Sequence, residues 1–187
     1  MTNTKLSGKA WWHAHQAQYP NSQKVDDLEP EFRARVEEFI GALREAGATV
    51  RISSTRRSAA RAYLMHYCWT VAFGDVAPGD VPAHEGVDII WDHGELETSR
   101  RAAREMVGLF GLAVKASLTS NHIKGLAIDM HITWKGALEL SHPPALMRRI
   151  ESLPRSGLNP ELHEIGARFF GVKKLKGDPP HWSYNGR

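Results

Sequence analysis

Residues 126–134, Leu-Ala-Ile-Asp-Met-His-Ile-Thr-Trp, alternate strongly apolar side chains with small or polar ones. A period of two is that of a half-buried strand, so Asp129 shares a face with Ala127 and His131. The strand follows a polar turn, Ser120-Asn121-His122-Ile123-Lys124-Gly125, which puts His122 and Asp129 seven residues apart. Imidazole and carboxylate both ligate a borderline divalent ion such as zinc. Two ligands do not fix a catalytic metal, and the best source of a third is Gly177-Asp178-Pro179-Pro180-His181-Trp182. His181 completes a His/Asp/His set, and Asp178, three residues earlier, is placed to act as a base. The intervening prolines restrict the backbone between them. Gly125 permits a tight turn, Ala127 leaves room beside the metal, and His131 is either a fourth ligand or a pocket residue.

At 187 residues the chain is long enough for one domain with a proper core, which is the organisation expected. Hydrophobic content of 42% and charged content of 24% are those of an ordinary globule. A formal charge of +3 favours proximity to an anionic polymer, nucleic acid or cell wall. The basic residues are scattered, so no nucleic-acid partner is expected. The single cysteine, Cys68, excludes an intrachain disulfide and a cysteine-based zinc site; its neighbours Tyr67, Trp69 and Val71 mark it as a buried thiol. Residues 1–19 contain no signal-peptide core, and no run approaches the roughly 20 apolar residues that span a bilayer. The expectation is a monomer made in the cytoplasm, without membrane insertion, that reaches any outside target by another export route.

Residues 1–27 form an expected docking segment, with Trp11 and Trp12 as its anchor and His13 and His15 as a weak metal-binding pair. Helical spacing covers 28–43, with Asp27 as N-cap and Gly47 as terminator, and 48–53 alternates as a strand. Ser58 caps a helix over 59–73, and Arg56 and Arg57 stand between the strand and that helix. They are either solvated cations or guanidinium donors for a substrate carboxylate or developing oxyanion. Residues 74–94 form a long loop around a strand over 87–91, in which His84, Asp88, Asp92 and His93 are rival ligands without a defensible spacing. Further helices are expected over 97–110, 144–153 and 160–170, with a last strand over 181–184.

Ser120-x-His122-x-x-Gly125-x-Ala127-x-Asp129, followed by an acid-x-x-His-Trp at 178–182, resembles the zinc D-Ala-D-Ala metallopeptidases. That family includes vancomycin-resistance D,D-peptidases and phage L-Ala-D-Glu endopeptidases, and shares its fold with the hedgehog signalling domain. The resemblance implies His122, Asp129 and His181 as zinc ligands and Asp178 as catalytic base. Ser54-x-x-Arg57-Ser58 is similar to the family's upstream turn, whose arginine binds or polarises substrate, with Arg56 the candidate if the register slips by one. Ser120, Arg56, His131 and Trp182 are then substrate contacts. The implied fold is α+β and hedgehog/DD-peptidase-like: a single domain with a small, mostly antiparallel sheet flanked by helices, the peptidase domain spanning 28–187. The implied activity is zinc-dependent hydrolysis of an amide bond in peptidoglycan peptides, by a phage endolysin released through a holin or an antibacterial effector delivered by a secretion system. The D,D-dipeptidase branch commonly has Glu where this chain has Asp178, which leaves the scissile bond open. Two alternatives stand beside it. One is a non-catalytic, zinc-stabilised wall-binding protein of the same fold, against which the presence of Asp178 and Arg57 argues. The other is a nucleic-acid-binding module, suggested by the basic balance and six tryptophans, which lie in apolar helical contexts.

Overall fold

The computed structural model describes residues 4–142 and 146–187. In chain order the helices are α1 (Lys9–His15), α2 (Pro30–Glu45), α3 (Ala59–Phe73), α4 (Leu96–Phe110) and α5 (Pro160–Ile165). The strands are β1 (Thr49–Ser54), β2 (Ala127–Thr133), β3 (Leu138–His142), β4 (Leu146–Ile150), β5 (Lys173–Lys174) and β6 (His181–Ser183). The fold is α+β, with a small antiparallel sheet ordered β1-β2-β6-β5 and a separate β3–β4 hairpin. Two units, interleaved in sequence, divide the chain: residues up to Pro20 with Ser58–Ser120, and Asn21–Arg57 with Asn121–Arg187.

The first unit is helical and aromatic. Trp11 and Trp12 of α1 are buried with Tyr63, Leu64 and Cys68 of α3 and Met106 of α4, so the paired tryptophans do anchor the N-terminal segment. Ser58 caps α3 as expected, its side chain accepting from the Arg61 amide. The strand expected over 87–91 does not form. Val87 and Ile90 make only isolated bridges, to His84 and Leu6, because no neighbouring strand runs alongside to extend either ladder.

The second unit carries the sheet. Helix α2 starts two residues later than the sequence suggests, because the Glu29 carboxylate, not Asp27, caps it by accepting from the amides of Glu31 and Phe32. Pro30 stands at the first turn, where its missing N–H costs nothing. Phe32, Val36, Phe39 and Leu43 of α2 pack in one cluster with Ile128, Met130 and Ile132 of β2 and Trp182 of β6. Each side chain so buried contributes roughly 1.5–3 kcal/mol. The helix expected over 144–153 is corrected: Pro144 and Ala145 lie outside the described residues, and Leu146–Ile150 is a strand paired with β3, its Ile150 buried opposite Leu138. The helix expected over 160–170 ends at Ile165 and continues as a π-type turn over Gly166–Phe170. Of this framework, the β1-β2-β6 ladder matters most for function, because it fixes which side chains share a face.

Candidate metal centre

Strand β2 puts Ile128, Met130 and Ile132 into the core, leaving Ala127, Asp129, His131 and Thr133 on the other face. Asp129 pairs directly with His181 of β6, so the two side chains stand side by side on that face. The third member comes from the turn before β2. Leu126 N donates to Asn121 O at 2.9 Å, and Gly125, at φ 70°, lets the chain reverse. A Cβ on Gly125 would also meet the Glu29 amide nitrogen at 2.9 Å, so glycine is required there on two counts. His122 is thereby turned onto the pair.

Three ligand atoms converge: His122 Nε2, Asp129 Oδ1 and His181 Nδ1, each 3.2 Å from the other two. His122 and His181 are buried and Asp129 is half-buried. The remaining ring nitrogens are spoken for by backbone carbonyls. His122 Nδ1 donates to Thr55 O at 2.6 Å, and His181 Nε2 donates to Arg187 O at 3.2 Å. These backbone oxygens only accept, so when each ring carries a single hydrogen it points away from the cluster. Two nitrogen lone pairs and a carboxylate oxygen then face one another with nothing positive between them, an arrangement that calls for a cation. Three corners of a tetrahedron with 3.2 Å edges lie about 2.0 Å from its centre, the bond length of a small divalent ion to nitrogen or oxygen. The buried His-Asp-His triad can hold a metal ion.

Electrostatics agree with a site built for positive charge. Burial pushes the Asp129 carboxyl up, but hydrogen bonds and charge from His122 and His181 outweigh it and hold the group well below the usual carboxylate range. Those rings supply the bonds and charge only with a second hydrogen; with one hydrogen on each ring, a metal ion would supply that charge instead. Arg57 is half-buried at the end of β1, with its amide donating to His122 O at 3.1 Å. Burial lowers its proton affinity, against the opposing pull of Asp129 and Asp178, and its Nε has no hydrogen-bond partner. Asp178 is half-buried, and its carbonyl accepts from the His181 amide at 3.2 Å and from Lys174 Nζ. The guanidinium therefore senses a ligand and the candidate base together.

The other expected residues separate. Arg56 is exposed, and its carbonyl accepts from the Ser22 amide. His131 is exposed on the same face of β2 as Asp129, opposite Arg51 of β1, and is not one of the three converging residues. Ser120 is half-buried. Trp182, expected to touch substrate, is instead wholly buried in the core against Phe39, because a strand that turns His181 toward Asp129 and His122 must turn its neighbour the other way.

Among the described residues no other His, Cys, Asp or Glu side chains converge as a group of three. The rival ligands have local partners: His15 Nδ1 with Trp11 O, His93 Nε2 with Ser7 Oγ, Asp92 with the Gly94 amide, and Asp88 with Lys5. Sequence reasoning missed the carbonyls of Thr55 and Arg187 and the ammonium of Lys174. A carbonyl belongs to every residue and carries no sequence signal. Lys174 follows another lysine in an unremarkable basic run. No protein-family model, curated protein or solved structure matches the chain.

Proposed function

We propose that the chain is a zinc-dependent peptidase of peptidoglycan, with a hedgehog/DD-peptidase-like fold, that hydrolyses an amide bond in the wall peptide. The observation that carries this is the triad itself: two imidazole nitrogens and a carboxylate oxygen around one cation-sized point, with the outer nitrogen of each ring bonded to a backbone oxygen. A nitrogen–nitrogen–oxygen donor set of that size suits zinc. Zinc held there supplies Lewis acidity, polarising an amide carbonyl and making water more acidic.

The remaining chemistry belongs to the chain. Asp178 takes the proton of the attacking water and returns it to the leaving nitrogen, so no free amide anion is expelled. Its position is steadied by Lys174, whose ammonium donates to the carbonyls of Leu175, Asp178 and His181. Arg57, whose guanidinium interacts with both Asp129 and Asp178, offers its charge to the substrate oxygen that becomes negative as water adds. The enzyme works on the cell wall, as a phage lysin released through a holin or as an effector delivered by a secretion system, and its partner is the wall peptide.

Mass spectrometry of fragments released from purified peptidoglycan tests the proposal and identifies the bond. The zinc-loaded protein is expected to release peptides with new amino and carboxyl ends, and Asp178→Asn none above background. Zinc-loaded protein that sediments with peptidoglycan yet releases nothing would make it a wall-binding protein.

A further inference from the structure

His181 is held to its role by one hydrogen bond on its far nitrogen, from Nε2 to Arg187 O. That carbonyl does not belong to a strand. Strand β6 ends at Ser183, and residues 184–187 curl back as a hook in which the amides of Gly186 and Arg187 both donate to Ser183 Oγ, at 3.0 and 3.1 Å. One side chain outside the hook grips it. Asn121 Nδ2 lies 2.7 Å from Arg187 O and 2.7 Å from Asn185 Oδ1, and donates to both. Asn121 immediately precedes the ligand His122, and its own carbonyl closes the turn that aims that ligand.

We propose that Asn121 is a positioning residue for the metal centre: through the Arg187 carbonyl it fixes the ring orientation and tautomer of His181. This rests on the triad being a metal site. An sp2 backbone oxygen has two lone-pair directions, and the Asn121 amide occupies one so that the other faces His181 Nε2–H. Without that donor the hook keeps its bonds to Ser183 Oγ and the bond from the Arg187 amide to Asn185 Oδ1, none of which touches the Arg187 oxygen. The carbonyl then loses its registration against the imidazole, and His181 Nδ1 is no longer kept proton-free and aimed at the cluster. Asn121 touches both ligands by separate groups, its backbone carbonyl closing the turn of His122 and its side-chain amide holding the partner of His181. Loss of an outer hydrogen bond of this kind lowers metal affinity by about 10–100-fold.

The test uses Asn121→Ala, Asn121→Asp (same shape, no N–H), deletion of residues 185–187, and the deletion combined with Asn121→Ala. Zinc affinity is measured by competition with a chromophoric chelator, and imidazole tautomers by nitrogen-15 NMR of the metal-free protein at a pH where the rings are neutral. Each single change is expected to weaken zinc binding about 10–100-fold. The combined protein is expected to be no weaker than either parent, since both changes act through one carbonyl. In the metal-free variants His181 is expected to lose its single Nε2–H tautomer, while His122, held by Thr55 O, keeps Nδ1–H. Wild-type zinc affinity in both Asn121 variants, multiplicative losses in the combined protein, or an unchanged His181 tautomer would each overturn the proposal. If the wild-type protein binds no zinc, the metal reading fails while the tautomer measurement still decides the role of Asn121.

Discussion

Asp129 and His181 are direct partners across β2 and β6, and their ligand atoms stand 3.2 Å apart on the face opposite the buried Trp182. Backbone pairing therefore sets two of the three ligand positions, and a turn closed by Gly125 sets the third. A site made this way is as rigid as its sheet, and removing any one ligand leaves the other two in place.

Metal binding follows from that rigidity. The wild-type protein is expected to carry about one zinc per chain, held by two imidazole nitrogens and a carboxylate oxygen. Elemental analysis of His122→Ala and Asp129→Asn is expected to show that ion lost, while far-ultraviolet circular dichroism keeps the wild-type shape. Full zinc occupancy in His122→Ala would move the site elsewhere, despite the local partners that occupy His15 and His93.

Asp178 separates binding from turnover. Asp178→Asn keeps size and leaves the backbone bonds to His181 and Lys174 intact, since those use its carbonyl and not its side chain. Zinc content is expected to be unchanged while kcat on wall peptides falls by about 10²–10⁴. Activity within a few-fold of wild type would remove Asp178 from the mechanism.

Arg57 distinguishes two roles by which constant moves. A donor to an oxyanion acts only in the transition state, so Arg57→Ala is expected to lower kcat by about 10²–10³ with KM little changed. A clamp on a substrate carboxylate would raise KM instead. Lysine keeps the charge but lacks the planar fork, so Arg57→Lys is expected to recover only part of the loss. Arg56→Ala, at an exposed position, is expected to change neither constant.

What the sequence disclosed and what it withheld divide along one physical line. Helices α3 and α4 were legible because periodicity and capping are local: Ser58 caps three residues ahead, and Ala103 and Met106 recur at helical spacing. The alternation of β2 likewise assigned Asp129 and His131 to one face. Strand β4 was not legible, because it contains exposed Met147, Arg148 and Arg149, and two prolines stand in sequence between it and β3. The division into two units was hidden for the same reason, since each hydrophobic cluster gathers segments far apart in sequence. Within the site, the ligands carried a motif and their carbonyl partners carried none. The burial of Trp182 could have been foreseen, because alternation from a metal-facing His181 sends it into the core.

Cys68 tests the first unit independently of the metal. It is wholly buried in α3, and burial pushes its thiol far above the ordinary range. An aromatic disulfide reagent is expected to leave the native protein untouched and to label one thiol per chain on unfolding, because only an exposed thiolate attacks. Rapid labelling of the native state would mean the cluster around Trp11 and Tyr63 opens easily.

His163 predicts a pH dependence, and its sign can be worked out. It is half-buried in the second unit, with Nε2 donating to Gly157 O at 2.9 Å and its ring edge-on to Trp182. Burial lowers its pKa, the bond to Gly157 opposes that, and nearby Lys174 lowers it further, leaving it below the ordinary value. In the unfolded chain the same imidazole titrates near 6.5 (about the model-peptide value). Between the folded pKa and about 6.5 the unfolded state therefore binds the extra proton, and stability falls as pH drops through that window. His163→Gln keeps an N–H for the Gly157 carbonyl but cannot titrate. Urea unfolding of wild type and His163→Gln across this range, both metal-free, is expected to give a difference curve that is flat above about pH 7 and slopes below it, with wild type losing more. Taking the difference cancels the titration of His122, Asp129 and His181, which both proteins share. A difference curve flat throughout would mean His163 takes its proton equally in both states, and that its contact with Trp182 does not depend on a neutral ring.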